Sequence, residues 1–392
     1  MTVPNVVIID AARTPVGRFS GALAGVRADH LGAVVLEALR ERAGLSSEVV
    51  DDVYFGCVTQ IGEQSANIAR TSLLSAGWSE TVPGMTLDRK CGSAEVAVHM
   101  AAGLIASGAA DIIFAGGAEN MSRVPIGSNR NLHGAPFGHA LEDRFEMVSQ
   151  GEAAERIAEK WNISRSELDE FALESHRRAA GAADAGYFDR ETVPVPVSAW
   201  QEPYRDAAAP ALSRDETIRR DTSREKLANL KPSFRPGGRV TAGNASQISD
   251  GAAALLLMSD ERARALGQRP RARIVAMGTV GSDPTLMLTG PVAATRKVLK
   301  RANLSLDDID LFEVNEAFAS IPLMWLKETG VDPGRMNVNG GAIALGHPLG
   351  ASGARLMTTL LHEMERRDAK FGLQTMCCAG GLATATILER LP

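Results

Sequence analysis

The sequence predicts a layered α/β fold, and three observations support this prediction. Strand-like and helix-like segments alternate from residue 6 to residue 115, which predicts a mixed or parallel sheet covered by helices. Between about residues 120 and 241 strand patterns are few while charges and prolines increase, which indicates an insertion over the α/β body. After residue 241 the alternation resumes and echoes the first part, so the chain reads as a duplication.

The individual elements follow from periodicity, since apolar residues recur every three to four positions in helices and form short β-branched runs in strands. The predicted strands cover residues 6–9, 52–58, 85–88, 111–115, 310–314, 373–377 and 384–389, and the predicted helices cover 29–43, 64–76, 92–107, 152–161, 166–185 and 352–367. One helix begins just after Cys91 and its repeat begins just after His347. Helix N-termini favour anions, and the two ends would converge if the halves pack about a pseudo-twofold axis.

Composition excludes several classes of function. The 392 residues are 45% hydrophobic and 23% charged with a net charge of -5, and charges of both signs are interspersed. This pattern does not indicate a surface that binds nucleic acid or membranes. No apolar stretch approaches the roughly 20 residues that are needed to span a bilayer. The four cysteines, at positions 57, 91, 377 and 378, form neither a disulfide framework nor a metal-site spacing. We therefore expect a cytoplasmic protein without a metal.

Reactive groups beside glycines suggest thiol chemistry. Cys91 precedes Gly92, His347 lies in a glycine-rich turn, and Cys377 ends an apolar strand before small residues whose N–H groups face a developing oxyanion in this hypothesis. Each also has an interpretation without a catalytic role: Cys91 as a buried structural cysteine, His347 as a surface-loop histidine and Cys377 as a core cysteine. Asn315, after a predicted strand, is equally compatible with an ordinary helix N-cap.

Taken together, the motifs resemble the thiolase family over essentially the whole chain. The matching segments are Arg13-Thr14-Pro15-Val16-Gly17, Cys91-Gly92-Ser93, Gly116-Gly117-Ala118-Glu119-Asn120-Met121-Ser122, Thr241-Ala242-Gly243-Asn244-Ala245-Ser246, Ser249-Asp250-Gly251-Ala252-Ala253, Asn315-Glu316-Ala317-Phe318, Asn337-Val338-Asn339-Gly340-Gly341, Gly346-His347-Pro348 and Cys377. The resemblance implies the thiolase fold: two duplicated halves in five layers, αβαβα, with an inserted loop domain. It assigns residues 1–119 with 242–270 to the N-terminal half, 120–241 to a lid that binds coenzyme A, and 271–392 to the C-terminal half.

The resemblance also implies roles in catalysis. Cys91 would be the acylated nucleophile, His347 would take its proton, and Cys377 would be the second acid/base. His347 with a water held by Asn315 would stabilise the enolate oxygen, while the N–H groups of Cys91 and Ala379 would serve the tetrahedral centre.

Substrate contacts are implied in the same way. Ser246 matches the serine at the pantetheine arm, and Arg219 matches the loop arginine near the adenine and phosphates. Ala379, Gly380 and Phe318 are the other expected contacts to substrate or coenzyme A. Coenzyme A is then a substrate, and no metal or organic cofactor is implied. Thiolases are dimers or tetramers, so we expect a homo-oligomer.

Four departures from the family pattern bear on substrate and local fit. Ala379 stands where glycine is usual, and Glu95 where Gln or Leu is common. Ser149-Gln150-Gly151 replaces the His-Met-Gly of acetoacetyl-CoA enzymes, so the chain looks more like degradative 3-ketoacyl-CoA thiolases, including actinobacterial ones acting on fatty-acid or steroid side-chain CoA esters. Cys378 adjoins Cys377, and counting back from the last strand favours Cys377 as the catalytic one.

Several hypotheses therefore stand side by side. The first is thiolytic cleavage of a 3-oxoacyl-CoA to acetyl-CoA and a shortened acyl-CoA. The second is a biosynthetic acetyl-CoA acetyltransferase that uses the same residues to make acetoacetyl-CoA. The third is an inactive thiolase-like protein that binds acyl-CoA or lipid. A ketoacyl-ACP synthase, with one cysteine and two histidines, and a papain-like hydrolase fit the motifs less well.

Overall fold

The computed structural model describes residues 6–130, 132–200 and 211–392. Its strands are β1 Val6–Arg13, β2 Gly17–Arg18, β3 Asp52–Gly56, β4 Met85–Leu87, β5 Ile112–Asn120, β6 Ser249–Ser259, β7 Ala272–Gly281, β8 Leu311–Val314, β9 Phe371–Cys378 and β10 Leu382–Arg390. Its α-helices are α1 Ala28–Arg42, α2 Ile68–Ser75, α3 Ser93–Ala106, α4 His139–Glu142, α5 Gln150–Lys160, α6 Arg165–Asp184, α7 Val197–Trp200, α8 Arg224–Ala228, α9 Asp260–Ala265, α10 Gly290–Ala302, α11 Ser320–Thr329, α12 Ala342–Leu345 and α13 Ser352–Arg367.

The strands form two similar half-sheets that meet edge to edge. The order is β4-β3-β5-β6-β1 in the first half and β7-β10-β9-β8 in the second, with β2 paired to β6. Pairing is parallel between β3 and β5 and between β8 and β9, and antiparallel from β5 to β1 and from β7 to β9. Among the described residues, the pairs that join the halves at the β1–β7 edge are Val7 with Arg273 and Ile8 with Ala272.

Helices complete five layers. α1 and α2 cover the outer face of the first half-sheet, and α10 packs on β10, β7 and β9 of the second. α3 and α13 pack against each other and touch strands of both halves, so they form the middle layer. α3 is apolar nearly all round because both of its sides are buried. The αβαβα arrangement predicted from the sequence is confirmed.

Local sequence explains how the main elements form. Every residue of β5 is buried, as expected for a central strand covered on both faces. Within the insertion, α6 begins with a capping box in which Ser164 and Glu167 satisfy each other's backbone N–H groups. The insertion helix α5 contributes Ala153 and Ile157 to the apolar core of the C-terminal half. The insertion thus packs on that half.

Two ion pairs fasten the insertion to the N-terminal half. The buried guanidinium of Arg13 at the end of β1 pairs with Glu191 at 2.6 Å and with Asp215 at 2.7 Å. Removing one partner of such a buried pair leaves an uncompensated charge. Over the described ranges of the chain, no helix has the length and apolar character needed to cross a bilayer.

Candidate active site

Cys91 lies in a tight turn between β4 and α3. Lys90 has a left-handed backbone with φ of +53°, an uncommon conformation for a residue with a side chain. Backbone hydrogen bonds from Gly92 to Arg89 (3.2 Å) and from Ser93 to Lys90 (3.0 Å) hold the turn. The turn presents Cys91 directly before the first turn of α3, whose N–H groups have no partner within the helix.

Burial governs the protonation of Cys91. The thiol is buried, and burial raises its pKa to about 12 against the opposing effect of hydrogen bonds from its own backbone N–H and from that of Ala379. The N–H of Ala379 therefore lies within hydrogen-bonding range of the sulfur. Cys91 is a neutral thiol near pH 7, and attack on a carbonyl requires a base that takes its proton.

The loop that carries His347 is fastened to the N-terminal half by Glu119. This buried carboxylate accepts hydrogen bonds from the backbone N–H of Gly350 and of Val58, each at 2.8 Å. Gly117 on β5 permits the approach, because a Cβ there would lie 2.0 Å from the carbonyl oxygen of Gly350. The glycine-rich loop of one half thus rests on the strand ends of the other, and its Leu349 joins Cys91 in one apolar cluster.

The hydrogen bonds of His347 define its tautomer. Nδ1 lies 2.6 Å from Oγ of Ser352, and that hydroxyl donates its only proton to the carbonyl oxygen of Pro348 at 2.8 Å. Nδ1 must therefore be the donor, which leaves Nε2 as the base. Burial, and then the nearby guanidinium of Arg355, lower the pKa of His347 to about 3. The neutral imidazole is free to accept a proton.

Asn315 stands next to this base and is not a helix cap. Its Nδ2 lies 3.5 Å from Nε2 of His347, and its backbone N–H donates to the carbonyl of Thr375 at 3.1 Å. The N-cap interpretation was wrong, since α11 begins only at Ser320 after an irregular segment. Among the described residues no partner reaches Oδ1 of Asn315, which is buried. A buried acceptor without a partner costs about 1–3 kcal/mol, so this atom suits a polar ligand.

Cys377 and Cys378 end β9 and face opposite sides of the sheet, as neighbours on a strand do. Cys377 packs in the apolar core that includes Phe318 and Ala379. Cys378 packs with Cys91 in the smaller cluster. Burial first, and then the proximity of Cys91, raise the pKa of both thiols. Both sulfurs are near that of Cys91, and Cys377 packs in the core that also includes Phe318.

A glycine turn follows these cysteines. Gly380 and Gly381 both have left-handed backbones, with φ of +87° and +74°. Gly380 is exposed, whereas a Cβ on Gly381 would lie 2.5 Å from the carbonyl oxygen of Ser282. The turn reverses the chain from β9 into β10 and presents the N–H of Ala379 to Cys91. Ala379 itself is buried, so its methyl group fits in the core.

Ser246 and Phe318 lie on adjacent segments beside Asn315. The backbone N–H of Ser246 donates to the carbonyl of Ala317 at 2.9 Å, and Ala245 forms a β-bridge with Phe318. The ring of Phe318 makes an edge contact with Phe234 of the insertion, with centroids 5.7 Å apart. The structure therefore brings these two predicted substrate contacts to the junction of insertion and C-terminal half.

Gly151 makes room for this aromatic pair. A Cβ at Gly151 would lie 2.0 Å from the ring of Phe234. The rings of Phe234 and Phe318 together form what we call the aromatic wall. The stretch Ser149-Gln150-Gly151, which departs from the acetoacetyl-CoA pattern, borders this wall.

Arg219 is more remote than the other predicted residues. Its side chain is exposed, and its backbone N–H donates to Nδ1 of His176 at 3.1 Å. Its segment reaches the site through Thr217, whose carbonyl accepts from Nε2 of Gln247, the neighbour of Ser246, at 2.8 Å. The structure places Arg219 at the rim of the insertion and not among the buried groups.

Three supporting residues were missed by reasoning from the sequence. Ser352 orients His347, Glu119 holds the loop, and Gln247 links the insertion to the loop by donating also to the carbonyl of Ile343 at 2.9 Å. Glu119 lies inside the motif Gly116 to Ser122, and Ser352 closely follows the glycine-rich turn of His347, so a polar residue in or beside a glycine-rich run was the available signal. Gln247 had none.

Metal ligands do not cluster here: within residues 6–130, 132–200 and 211–392 there is no group of three or more His, Cys, Asp or Glu side chains that could hold a metal ion.

Comparison with known families gives two adjoining matches. The model described as the thiolase N-terminal domain matches residues 6–261, and the model described as the thiolase C-terminal domain matches residues 268–390. Together the two models account for nearly the whole chain.

Individual relatives are similar over their full length. A steroid 3-ketoacyl-CoA thiolase of Mycobacterium tuberculosis is 48% identical, with 98% of this chain and 94% of that protein aligned. An acetyl-CoA acetyltransferase of Pseudomonas aeruginosa is 46% identical over 98% of this chain and 99% of its own. The crystal structure of the Bacillus anthracis acetyl-CoA acetyltransferase superposes with a TM-score of 0.91 at 40% identity, covering 100% of both chains.

Proposed function

Because the chain belongs to the thiolase family, we propose that it cleaves a 3-oxoacyl-CoA with coenzyme A through an acylated Cys91. The chain is an acyltransferase, and the reaction class expected from the sequence is that of the family. Two observations carry the proposal: Cys91 is a buried neutral thiol in one apolar cluster with Leu349 of the His347 loop, and His347 is a neutral imidazole whose Nε2 is the proton acceptor.

The first half-reaction acylates the nucleophile. The sulfur of Cys91 forms a bond to C3 of the substrate while Nε2 of His347 takes the thiol proton. The oxygen at C3 becomes an oxyanion, and the N–H groups of Cys91 and Ala379, which already point at the sulfur, are suited to bind it. Each donor of such a preorganised pair stabilises the transition state by about 3–4 kcal/mol.

Carbon–carbon cleavage then requires an acid. When the bond between C2 and C3 breaks, its electron pair forms the enolate of acetyl-CoA, and the thiol of Cys377 protonates C2. Its raised pKa suits it to hold this proton until the carbanion develops. His347, now protonated, and Nδ2 of Asn315 face the enolate oxygen in this proposal.

Coenzyme A completes the cycle. The thiolate of Cys377 takes the proton of the incoming coenzyme A thiol, which attacks the thioester on Cys91. The sulfur of Cys91 leaves with the proton returned by His347, so all groups regain their starting state. The two separate half-reactions predict ping-pong kinetics.

The aromatic wall favours an acyl group larger than acetoacetyl. Phe318, Phe234 and Gly151 meet at the junction described above, and the small Ser149 stands where acetoacetyl-CoA enzymes carry a histidine. The names of relatives include both a steroid 3-ketoacyl-CoA thiolase and acetyl-CoA acetyltransferases, so the acyl group separates the alternatives. In this proposal Ser246 contacts the pantetheine arm, and Arg219 and Gly380 lie along the path of coenzyme A.

The decisive experiment follows the loss of 3-oxoacyl-CoA enolate absorbance on addition of coenzyme A. kcat/KM is compared for acetoacetyl-CoA, a medium-chain substrate and a bulky ring-bearing substrate. Preference for the longer or bulkier substrates supports the degradative thiolase. Preference for acetoacetyl-CoA supports the biosynthetic enzyme instead, and absence of turnover with all three supports an acyl-CoA binding protein.

We also propose a cytoplasmic homo-oligomer. The four cysteines are free and buried, which suits a reducing compartment. Light scattering on the purified protein measures the mass of the assembly, and a monomer at micromolar concentration contradicts this part of the proposal.

A further inference from the structure

Glu95 is a fully buried carboxyl group in the first turn of α3, four residues after Cys91. Its two oxygens accept hydrogen bonds from the hydroxyls of Thr384 at 2.5 Å and Thr386 at 2.6 Å, both on β10. Nε2 of His99, one turn further along α3, lies 2.8 Å from the Thr386 hydroxyl. The mechanism above uses none of these groups, although buried polar networks are costly unless each member is satisfied.

The helix that follows the His347 loop, α13, crosses α3 at this point. A Cβ on Gly353, the second residue of α13, would lie 2.3 Å from the backbone nitrogen of Glu95, so the two helices touch there. The carbonyl of Gly353 also accepts a hydrogen bond from the side chain of Gln374 on β9 at 2.9 Å. Glu95 therefore sits where the helix behind the nucleophile meets the helix behind the base.

The strand pair behind Cys377 meets the same group. The hydroxyl of Thr375 on β9 donates to the carbonyl of Thr384 at 2.8 Å. A Cβ on Gly92 would lie 2.8 Å from both the methyl of Thr384 and the sulfur of Cys378. Thr384, held by Glu95, thus packs directly under the turn that presents Cys91.

We propose that Glu95 is a positioning residue that joins α3, α13 and the β9–β10 hairpin into one unit and so sets the relative positions of Cys91, His347 and Cys377. The inference rests on the proposed thiolase reaction and adds a residue to it. Errors of about 1 Å in the placement of reacting groups cost about 100-fold in rate, which is the effect that a group at this junction controls.

The titration of the cluster gives this role a distinct signature. Burial raises the pKa of Glu95 to about 7, against hydrogen bonds from Thr384, Thr386 and Gln374. Burial, and then Arg89 and Arg301, lower the pKa of His99 to about 3.

The remaining neighbour does not titrate near neutrality. Burial raises the pKa of Cys378 well above its ordinary value, so it stays a thiol. Glu95 is then the group facing this cluster that changes charge between pH 5 and 9. Above pH 7 both threonines donate to a carboxylate, and below it the acid itself is a donor.

The test is Glu95→Gln in the full-length protein, with Asp29→Asn as the matched control. Asp29 is a buried carboxyl in the outer helix α1, paired with Arg27 at 2.9 Å, and it bonds to none of the groups assigned to the site. For Glu95→Gln we expect kcat to fall about 10- to 100-fold and KM for coenzyme A to change less than about twofold. The inflection of kcat near pH 7 should disappear, because an amide does not ionise. Asp29→Asn should keep both kcat and the inflection.

A second pair of variants decides the matter if Glu95→Gln fails to fold. Thr384→Val removes only the hydroxyl, and Thr384→Ser retains it. We expect Thr384→Val to slow alkylation of Cys91 by iodoacetamide and to lower kcat, and Thr384→Ser to restore both. Equal alkylation rates and equal kcat in the two variants overturn the proposal, as does a folded Glu95→Gln with the wild-type pH profile. Alkylation needs no substrate, so this result is separable from any failure of the proposed function.

Discussion

At the scale of single residues, the proposed nucleophile Cys91 and the proposed base His347 are both uncharged before substrate binds. Burial moves the pKa of Cys91 up and that of His347 down, and each shift opposes a thiolate–imidazolium ion pair. The negative charge of a thiolate in this buried site would have to be stabilised by the backbone N–H groups of Cys91 and Ala379 alone. Proton transfer is therefore expected to accompany attack.

The three cysteines around the site should be separable by substitution. Cys91→Ala should abolish acyl-enzyme formation, because it removes the sulfur that is acylated. Cys377→Ala should still acylate from simple thioesters but lose carbon–carbon cleavage by about 100-fold or more, since it removes the acid at C2. Cys378→Ala should keep more than half of the activity. Mass spectrometry of the trapped enzyme and steady-state thiolysis measure these outcomes.

The opposite pattern for the paired cysteines would reverse the assignment. A fully active Cys377→Ala together with a dead Cys378→Ala would place the acid on the face of Cys378, with Cys91 and Leu356. Circular dichroism of both variants serves as the control for folding.

Glu95 should also leave a mark on the dependence of stability on pH. Its pKa is raised in the folded protein, so the folded state holds the proton more tightly than the unfolded state. Its contribution is fully present below the unfolded pKa of about 4.3 and is lost as pH rises through about 7. Compared with Glu95→Gln, the wild-type free energy of unfolding should decline between pH 5 and 7 and then run parallel. Urea denaturation at several pH values checks this, and parallel curves throughout would contradict it.

At the scale of elements, helices and strands with clear periodicity could be predicted from the sequence, but the irregular segments could not. The predicted helix over 92–107 differs from α3 by one residue at each end. A helix start was one of two interpretations of the segment after β8, yet the segment runs beside residues 244–246, where the N–H of Ala319 donates to the carbonyl of Asn244 at 2.9 Å. That partner is 75 residues away in sequence, and local periodicity carries no trace of it.

The glycine turn after Cys378 offers a matched pair of substitutions. Both glycines have positive φ, so alanine at either costs about 1–2 kcal/mol in backbone strain. A methyl group at Gly380 meets open space, whereas at Gly381 it would meet the carbonyl of Ser282. Gly381→Ala should therefore cost about 2–5 kcal/mol in total and displace Ala379. Urea denaturation should rank Gly380→Ala as the milder change, and equal losses of stability would contradict the turn geometry.

At the scale of the whole molecule, the candidate site takes Cys91 from one half-sheet's side of the chain and His347, Asn315 and Cys377 from the other. The duplication, the insertion and the order of motifs could be predicted from the sequence, and the resemblance of those motifs indicated which side chains meet. What holds them together could not be predicted. The hydrogen bond from Gly350 to Glu119 and the contact of Gly353 with Glu95 each join residues more than 200 positions apart. Such contacts depend on the packing of the middle layer, which no local pattern encodes.

The middle layer can be tested with one glycine from each of its helices. Gly103 in α3 has open space around its Cβ position, so Gly103→Ala should stabilise the protein by about 0.5–1 kcal/mol by lowering the entropy of the unfolded chain. Gly353 in α13 has none, since the added carbon would meet the backbone of α3. Gly353→Ala should lower the free energy of unfolding by about 3 kcal/mol or more. It should also lower kcat, because a displaced α13 would move the attached loop of His347 away from Cys91. Thermal unfolding of both variants, alongside thiolysis, measures this. A Gly353→Ala protein with unchanged Tm and kcat would show that the two helices are not in the contact that aligns the two halves of the site.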